Sequence, residues 1–140
     1  MTAKQWLKRY INASHRIDSL LQKRQEAYDR LTKITAALDS ESVSSTKDPH
    51  KYDELVDLDL FIHQRISQSM KIQFEIITAI DQLEDWRYRE ILMHRYIDEF
   101  TWDDIARKIH YSKIQTTRLH GYALKAIETI INSFNQNDIE

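Results

Sequence analysis

The chain has no cysteine, and only one glycine and one proline among its 140 residues. Without cysteine there is no disulfide framework and no thiolate metal site. A sheet protein needs turn residues between many strands, and one glycine and one proline cannot supply them. Long helices need very few. No apolar run approaches the length that spans a bilayer, and the opening MTAKQWLKRY lacks the continuous apolar core of a signal peptide. These absences lead to the expectation of an all-α protein, one domain or two small ones, cytoplasmic and without a membrane partner. Six histidines are present (His15, His50, His63, His94, His110 and His120). They form no HExxH pattern and no pair four residues apart, so no metal is expected. No nucleophile stands beside a base. The pair Asp103-Asp104 is an ordinary dipole partner in the first turn of a helix. Neither catalysis nor a cofactor is expected.

Net charge is −2, but it is unevenly spread. Residues 1–38 carry eight Lys/Arg against three Asp/Glu, and residues 39–100 carry seven against fourteen. Residues 101–125 carry five against two. That basic stretch coincides with an unusual local pattern, two helix starts about eleven residues apart. Charge alone does not separate a binding surface from a solvated helix face.

Two long amphipathic helices are legible. In the first, Trp6, Tyr10, Ala13, Ile17, Leu20, Ala27, Leu31, Ile34 and Leu38 recur at helical spacing, with Thr2 as cap. Arg24 interrupts this seam and must snorkel outward or pair with an acid across it. Residues 39–49, rich in Ser and Asp, read as a loop, and Asp48-Pro49 as the start of the next helix. There Leu55, Leu58, Ile62, Ile66, Met70, Phe74, Ile77 and Ile80 form a second stripe. Leu60, Phe61, Ile72 and Ile76 lie outside it and suggest a further contact surface. The simplest arrangement is an antiparallel hairpin over 1–82. A third helix fits Trp86 to Tyr96, with IDEF as its exit. Trp86 and Trp102 read as core.

The stretch TWDDIARKIHYSKIQTTRLHGYALKAI, Thr101 to Ile127, then holds two helix starts separated by His110-Tyr111. Thr101 with Asp104 is close to a capping box, although Glu or Gln is usual at the second position. Ser112 is the second cap. Trp102, Ile105, Ala106 and Ile109 share one face, and the small Ala106 permits a steep, close crossing by the next helix. The first turn of that helix, Ser112 to Arg118, is almost wholly polar. Side chains of this kind read base edges in the major groove. Gly121 interrupts the final helix, which suggests close packing or a bend there. His110 is expected in the turn and His120 toward a groove.

Thr101, Ile105, Ala106, Ser112, Ala123, Leu124 and Lys125 resemble the pattern of region 4 of the bacterial sigma-70 family, over roughly residues 83–131. The whole chain, and above all RYIDEFTWDDIARKIHYS, resembles the small ArpU/RinA-type phage regulators of late transcription from Gram-positive bacteria. The resemblance implies a helix-turn-helix domain over 83–134, followed by a tail at 135–140. It implies base contacts near Lys113, Ile114 and Arg118 and phosphate contacts near Ser112, Gln115 and Thr117, with Thr101 leading the supporting helix. Ile114 stands where sigma factors often carry an acid that reads cytosine, so a −35 consensus is not the expected target.

The reading is a sequence-specific DNA-binding transcription regulator, an activator of phage late genes acting with host RNA polymerase. One helix-turn-helix buries only about 600–1,000 Å² on DNA, so a homodimer or larger oligomer is expected through the hairpin. Two alternatives belong to other classes. One is a small terminase subunit, which starts DNA packaging. The other is a helix-turn-helix that binds protein.

Overall fold

In the computed structural model the described residues are 1–40 and 51–137, and among them every regular element is helical. The expected loop at 39–49 and the Asp48-Pro49 cap fall almost wholly outside the described residues, as does the end of the tail. The elements are α1 (Ala3–Ser40), α2 (Lys51–Asp81), α3 (Trp86–Leu92), a π-helical turn (Met93–Ile97), α4 (Trp102–Ile109) and α5 (Lys113–Asn137). No helix among them is long and apolar enough to cross a membrane.

The fold divides into two compact units, and the division runs through both long helices. Residues 14–70 form one unit. Residues 1–13 and 71–140 form the other. The split expected at 82/83 follows chain order, whereas the contacts group both outer ends of the long helices with the C-terminal helices.

In the larger unit the core joins Trp6 and Leu7 of α1 to Ile76, Ala79 and Ile80 of α2 and to Ala123, Ile127 and Ile131 of α5. Leu92 and Tyr96 complete it. Each fully buried Leu or Ile here contributes about 1.5–3 kcal/mol by leaving water. Thr2 starts α1 with a complete capping box. Its hydroxyl accepts from the Gln5 amide at 3.2 Å, and the Gln5 side chain accepts from the Thr2 amide at 2.9 Å. Asp85 caps α3 by accepting from the Arg87 amide at 2.9 Å, and it also holds the Arg87 guanidinium at 2.8 Å. The Arg87 hydrogen bonds keep the Asp85 carboxyl below the usual carboxylate range. Arg89 clamps the preceding bend by donating to the carbonyls of Leu83 and Glu84.

The third helix ends earlier than its pattern suggests. After Leu92 the chain widens into the π-helical turn, where the Asp98 amide reaches back to the Met93 carbonyl at 3.0 Å. Glu99 then takes a left-handed conformation, φ 58°, and the chain exits toward Thr101. Trp86 is not core. It opens α3 and is 50% exposed, while Ile91 and Leu92 carry the buried face of that helix.

The described residues of the smaller unit form two helices. Arg24 interrupts the α1 seam and meets its acid. Its Nε donates to Asp59 at 3.0 Å, and the Tyr28 hydroxyl donates to the other carboxylate oxygen at 2.7 Å. Tyr28 first, and Arg24 after it, hold the Asp59 carboxyl below its ordinary value. The expected α2 stripe is displaced midway. Ile62 is buried as expected, but Ser69 takes the inward place of Met70, and the inward line continues in the other unit through Ile76 to Ile80. Met70 and Phe74 are exposed, at 57% and 73%. A true helix repeats every 3.6 residues, and the line Ile62, Ile66, Ser69, Gln73, Ile76, Ile80 keeps that period with polar residues included. Leu60 and Phe61 are exposed, whereas Ile72 packs on the larger unit's core.

Candidate nucleic-acid interface

Helix α4 begins at Thr101, whose backbone is extended and whose hydroxyl accepts from the Asp104 amide at 3.2 Å. Asp104 does not return the bond as a longer Glu or Gln would. It pairs instead with Arg107. Ile105 and Ile109 bury the inner face of α4 against Ile91, with Phe100, Trp102, Tyr111 and Leu119 around them.

The break between the helices has a specific backbone cause. His110 adopts a left-handed conformation, φ 62° and ψ 39°, which histidine tolerates better than bulky or β-branched residues do. Its amide closes on the Ala106 carbonyl, and the Tyr111 amide closes on the same oxygen at 3.1 Å. Helix α4 therefore ends in a left-handed cap, with two amides closing on the single Ala106 carbonyl. Ser112 then opens α5 with a full capping box. Its hydroxyl accepts from the Gln115 amide at 3.2 Å, and the Gln115 side chain accepts from the Ser112 amide at 3.1 Å. Thr116 is fully buried beneath this turn and donates to the Ser112 carbonyl at 2.8 Å.

The residues singled out by sequence have distinct places. Ile114 and Arg118 lie one turn apart on the outward face of α5, and Ile114 is 68% exposed. Among the described residues Arg118 has no ion pair. Lys113 stands off this line and reaches Asp103 on α4 at 3.4 Å. Ser112 and Gln115 are engaged with each other, and the Thr117 hydroxyl donates to the Ile114 carbonyl at 2.9 Å. Thr101 serves its own helix. So Ile114 and Arg118 share one outward line, and the polar residues beside them first build the helix end.

Three further residues belong to that face. Gly121, Tyr122 and Lys125 are exposed, and Ile114, Arg118, Gly121 and Lys125 succeed one another by four, three and four. The buried line of α5 — Thr116, Ala123, Ile127 and Ile131 — lies on the opposite side. The spacing was present in the sequence, but the resemblance drew attention to the first turn alone. Gly121 does not mark close packing within the chain. A Cβ built on it meets no atom within 4 Å. Glycine here costs about 0.8–1.0 kcal/mol relative to alanine.

His120 faces inward, contrary to the groove-facing place expected for it. Its ring stacks on Tyr96 at 5.8 Å and meets Trp102 edge-on at 4.7 Å. Its Nε2 shares a 2.8 Å hydrogen bond with the Tyr96 hydroxyl. Burial first, and then the charges of Lys4 and Arg95, bring its pKa down to about 4. Burial likewise pushes the Tyr96 hydroxyl up to about 12. Arg95 covers the Trp102 ring at 4.5 Å and donates to the Phe100 carbonyl. The neutral imidazole and its aromatic neighbours thus support the outward face from behind. Among the described residues no group of three His, Asp or Glu is placed to hold a metal ion.

Comparison with known families finds a match. The model of the family described as "Protein of unknown function (DUF1492)" covers residues 39–128, well over half of the chain. The chain belongs to the DUF1492 family. The DUF1492 match takes in α2, α3, α4 and the outward face of α5 through Glu128. Most of α1 lies before it. No curated protein and no solved structure matches the chain.

Proposed function

We propose that α4, the turn at His110-Tyr111 and α5 form a helix-turn-helix that places the outward face of α5 in the major groove of DNA. The protein is then a sequence-specific transcription regulator. In this reading it activates phage late genes together with host RNA polymerase, as the sigma region 4-like pattern implies. The observation that carries the reading is the outward face of α5. It presents Ile114, Arg118, Tyr122 and Lys125 to solvent on a helix whose other side is anchored by Thr116, Ala123 and Ile127. A helix fits the major groove, arginine reads guanine there, and an isoleucine can meet a thymine methyl.

The smaller unit supplies the second half of the proposal. Leu21, Tyr52, Val56, Leu60 and Met70 are exposed on it. A second copy of the chain covering such side chains would give two reading helices, and a two-fold site would give each its half. Selection of duplexes from a random pool by the purified protein, followed by footprinting on the parent genome, tests the reading. An enriched motif protected at positions upstream of genes supports it. A pool that stays random refutes it. Sedimentation of the same sample should give a dimer or larger, and a monomer at high micromolar concentration would remove the oligomer. A ring of eight or more subunits would favour the terminase alternative. The protein-binding alternative draws on the apolar Ile114 and Tyr122, and it gains if no duplex is enriched.

A further inference from the structure

The chain's single glycine stands in the middle of α5, on its outward face, with open space where a side chain would be. A helix interior is an unfavourable place for glycine, and no intramolecular contact in the described structure requires it there. Along the same line Arg118 lies three residues before it and Lys125 four residues after it, both exposed. Gly121 is therefore a notch one side chain deep between two cations. Tyr122 borders the notch and is 56% exposed.

Helix geometry locates the notch on DNA. Gly121 lies eight residues beyond Lys113, so about 12 Å along the axis at 1.5 Å per residue. The major groove is about 12 Å wide. A helix entering by its first turn reaches the groove wall near this point, and the wall is a sugar-phosphate strand. Where a phosphate backbone must come close to a protein backbone, a missing Cβ is what permits it, as in glycine-rich phosphate loops. Glu128 lies one turn past Lys125, so the favourable charge ends there.

Resting on the DNA-binding reading above, we infer that one sugar-phosphate strand lies in the Gly121 notch, flanked by Arg118 and Lys125. Gly121 and Lys125 then set affinity for duplex DNA of any sequence, while Ile114 and Arg118 read bases.

The test uses full-length protein with Gly121→Ala, Gly121→Leu and Lys125→Gln, on the selected duplex and on a scrambled one, with melting temperatures measured alongside. Alanine and leucine both favour helix, so both glycine variants should melt a few degrees higher than the parent. Gly121→Ala should weaken binding to both duplexes by about tenfold, and Gly121→Leu by more, because a phosphate contact is blind to sequence. Lys125→Gln should lower the salt slope by about one unit. If the glycine variants melt higher and bind as the parent does, the notch is empty on DNA and the inference falls, while the DNA-binding reading stands. If Gly121→Ala melts lower, the glycine serves the fold and the inference also falls. A parent that binds neither duplex overturns both.

Discussion

The two compact units use the same kinds of residue and treat them differently. In the unit formed by 1–13 and 71–140, three or more helices close around Leu7, Ile80, Leu92 and Ile127, and all of these are essentially without solvent contact. Among the described residues of the unit 14–70 two helices are available. There Leu21, Ile34, Tyr52, Val56, Leu60, Phe61 and Met70 are all exposed. Two helices can bury only the seam along which they face each other, whatever their composition. The teaching is that amphipathic pattern alone does not make a core. The number of surfaces that meet decides how much apolar area leaves water.

Substitution should break this comparison most clearly at its extremes. Ile127→Ala, in the closed core, should cost about 2–5 kcal/mol in a urea melt, through lost transfer energy and the cavity left behind. Leu60→Ala, on the two-helix unit, should change the stability of a monomer by less than about 0.5 kcal/mol. A larger loss at Leu60 that shrinks on dilution, as the parent itself dissociates, would show that a second copy covers it.

Acid should act on the closed unit through His120. Its pKa in the fold is about 4, against 6.5 for the free side chain, so the unfolded chain takes up a proton first. The stability it contributes is complete above pH 6.5 and is lost as pH falls toward 4. Asp85, held below 3.8 by Arg87, adds a second loss at lower pH. His120→Gln should flatten the stability profile between pH 6.5 and 4, as read by thermal melts at a series of pH values. An unchanged slope in that window would remove His120 from the account. A smaller effect is expected at the helix start. Ser112→Ala should cost about 1 kcal/mol by removing one cap acceptor, and circular dichroism should show α5 retained.

Much of this architecture could be read from sequence because it rests on local chemistry. Thr2 with Gln5, Thr101 and Ser112 are cap residues whose partners lie three positions away, and the helices begin at them. Arg24 announced its need for an acid, although only the fold could name Asp59. The line Ile62 to Ile80 was harder. Choosing the most apolar residue at each turn led to Met70 and Phe74, whereas the helical period passes through Ser69 and Gln73. Tertiary grouping was least legible. Nothing local to Trp6 or Leu7 tells that they pack with Ile127, more than a hundred residues away in sequence. In the candidate interface, family likeness pointed to the first turn, and several of those polar groups proved to be occupied in building it. Gly121 and Lys125 were visible as letters, but their shared outward line needed the buried side of α5 to be known.

The most direct test of the proposal that α5 reads DNA is a binding titration of parent and Arg118→Ala on the selected and scrambled duplexes at two salt concentrations. Arg118 is exposed and without an ion pair among the described residues, so its loss should leave the fold intact. A cost of about 1–3 kcal/mol is expected on the selected duplex and much less on the scrambled one. Equal affinity of Arg118→Ala and parent for the selected duplex would contradict it and would give the outward face of α5 to a protein partner.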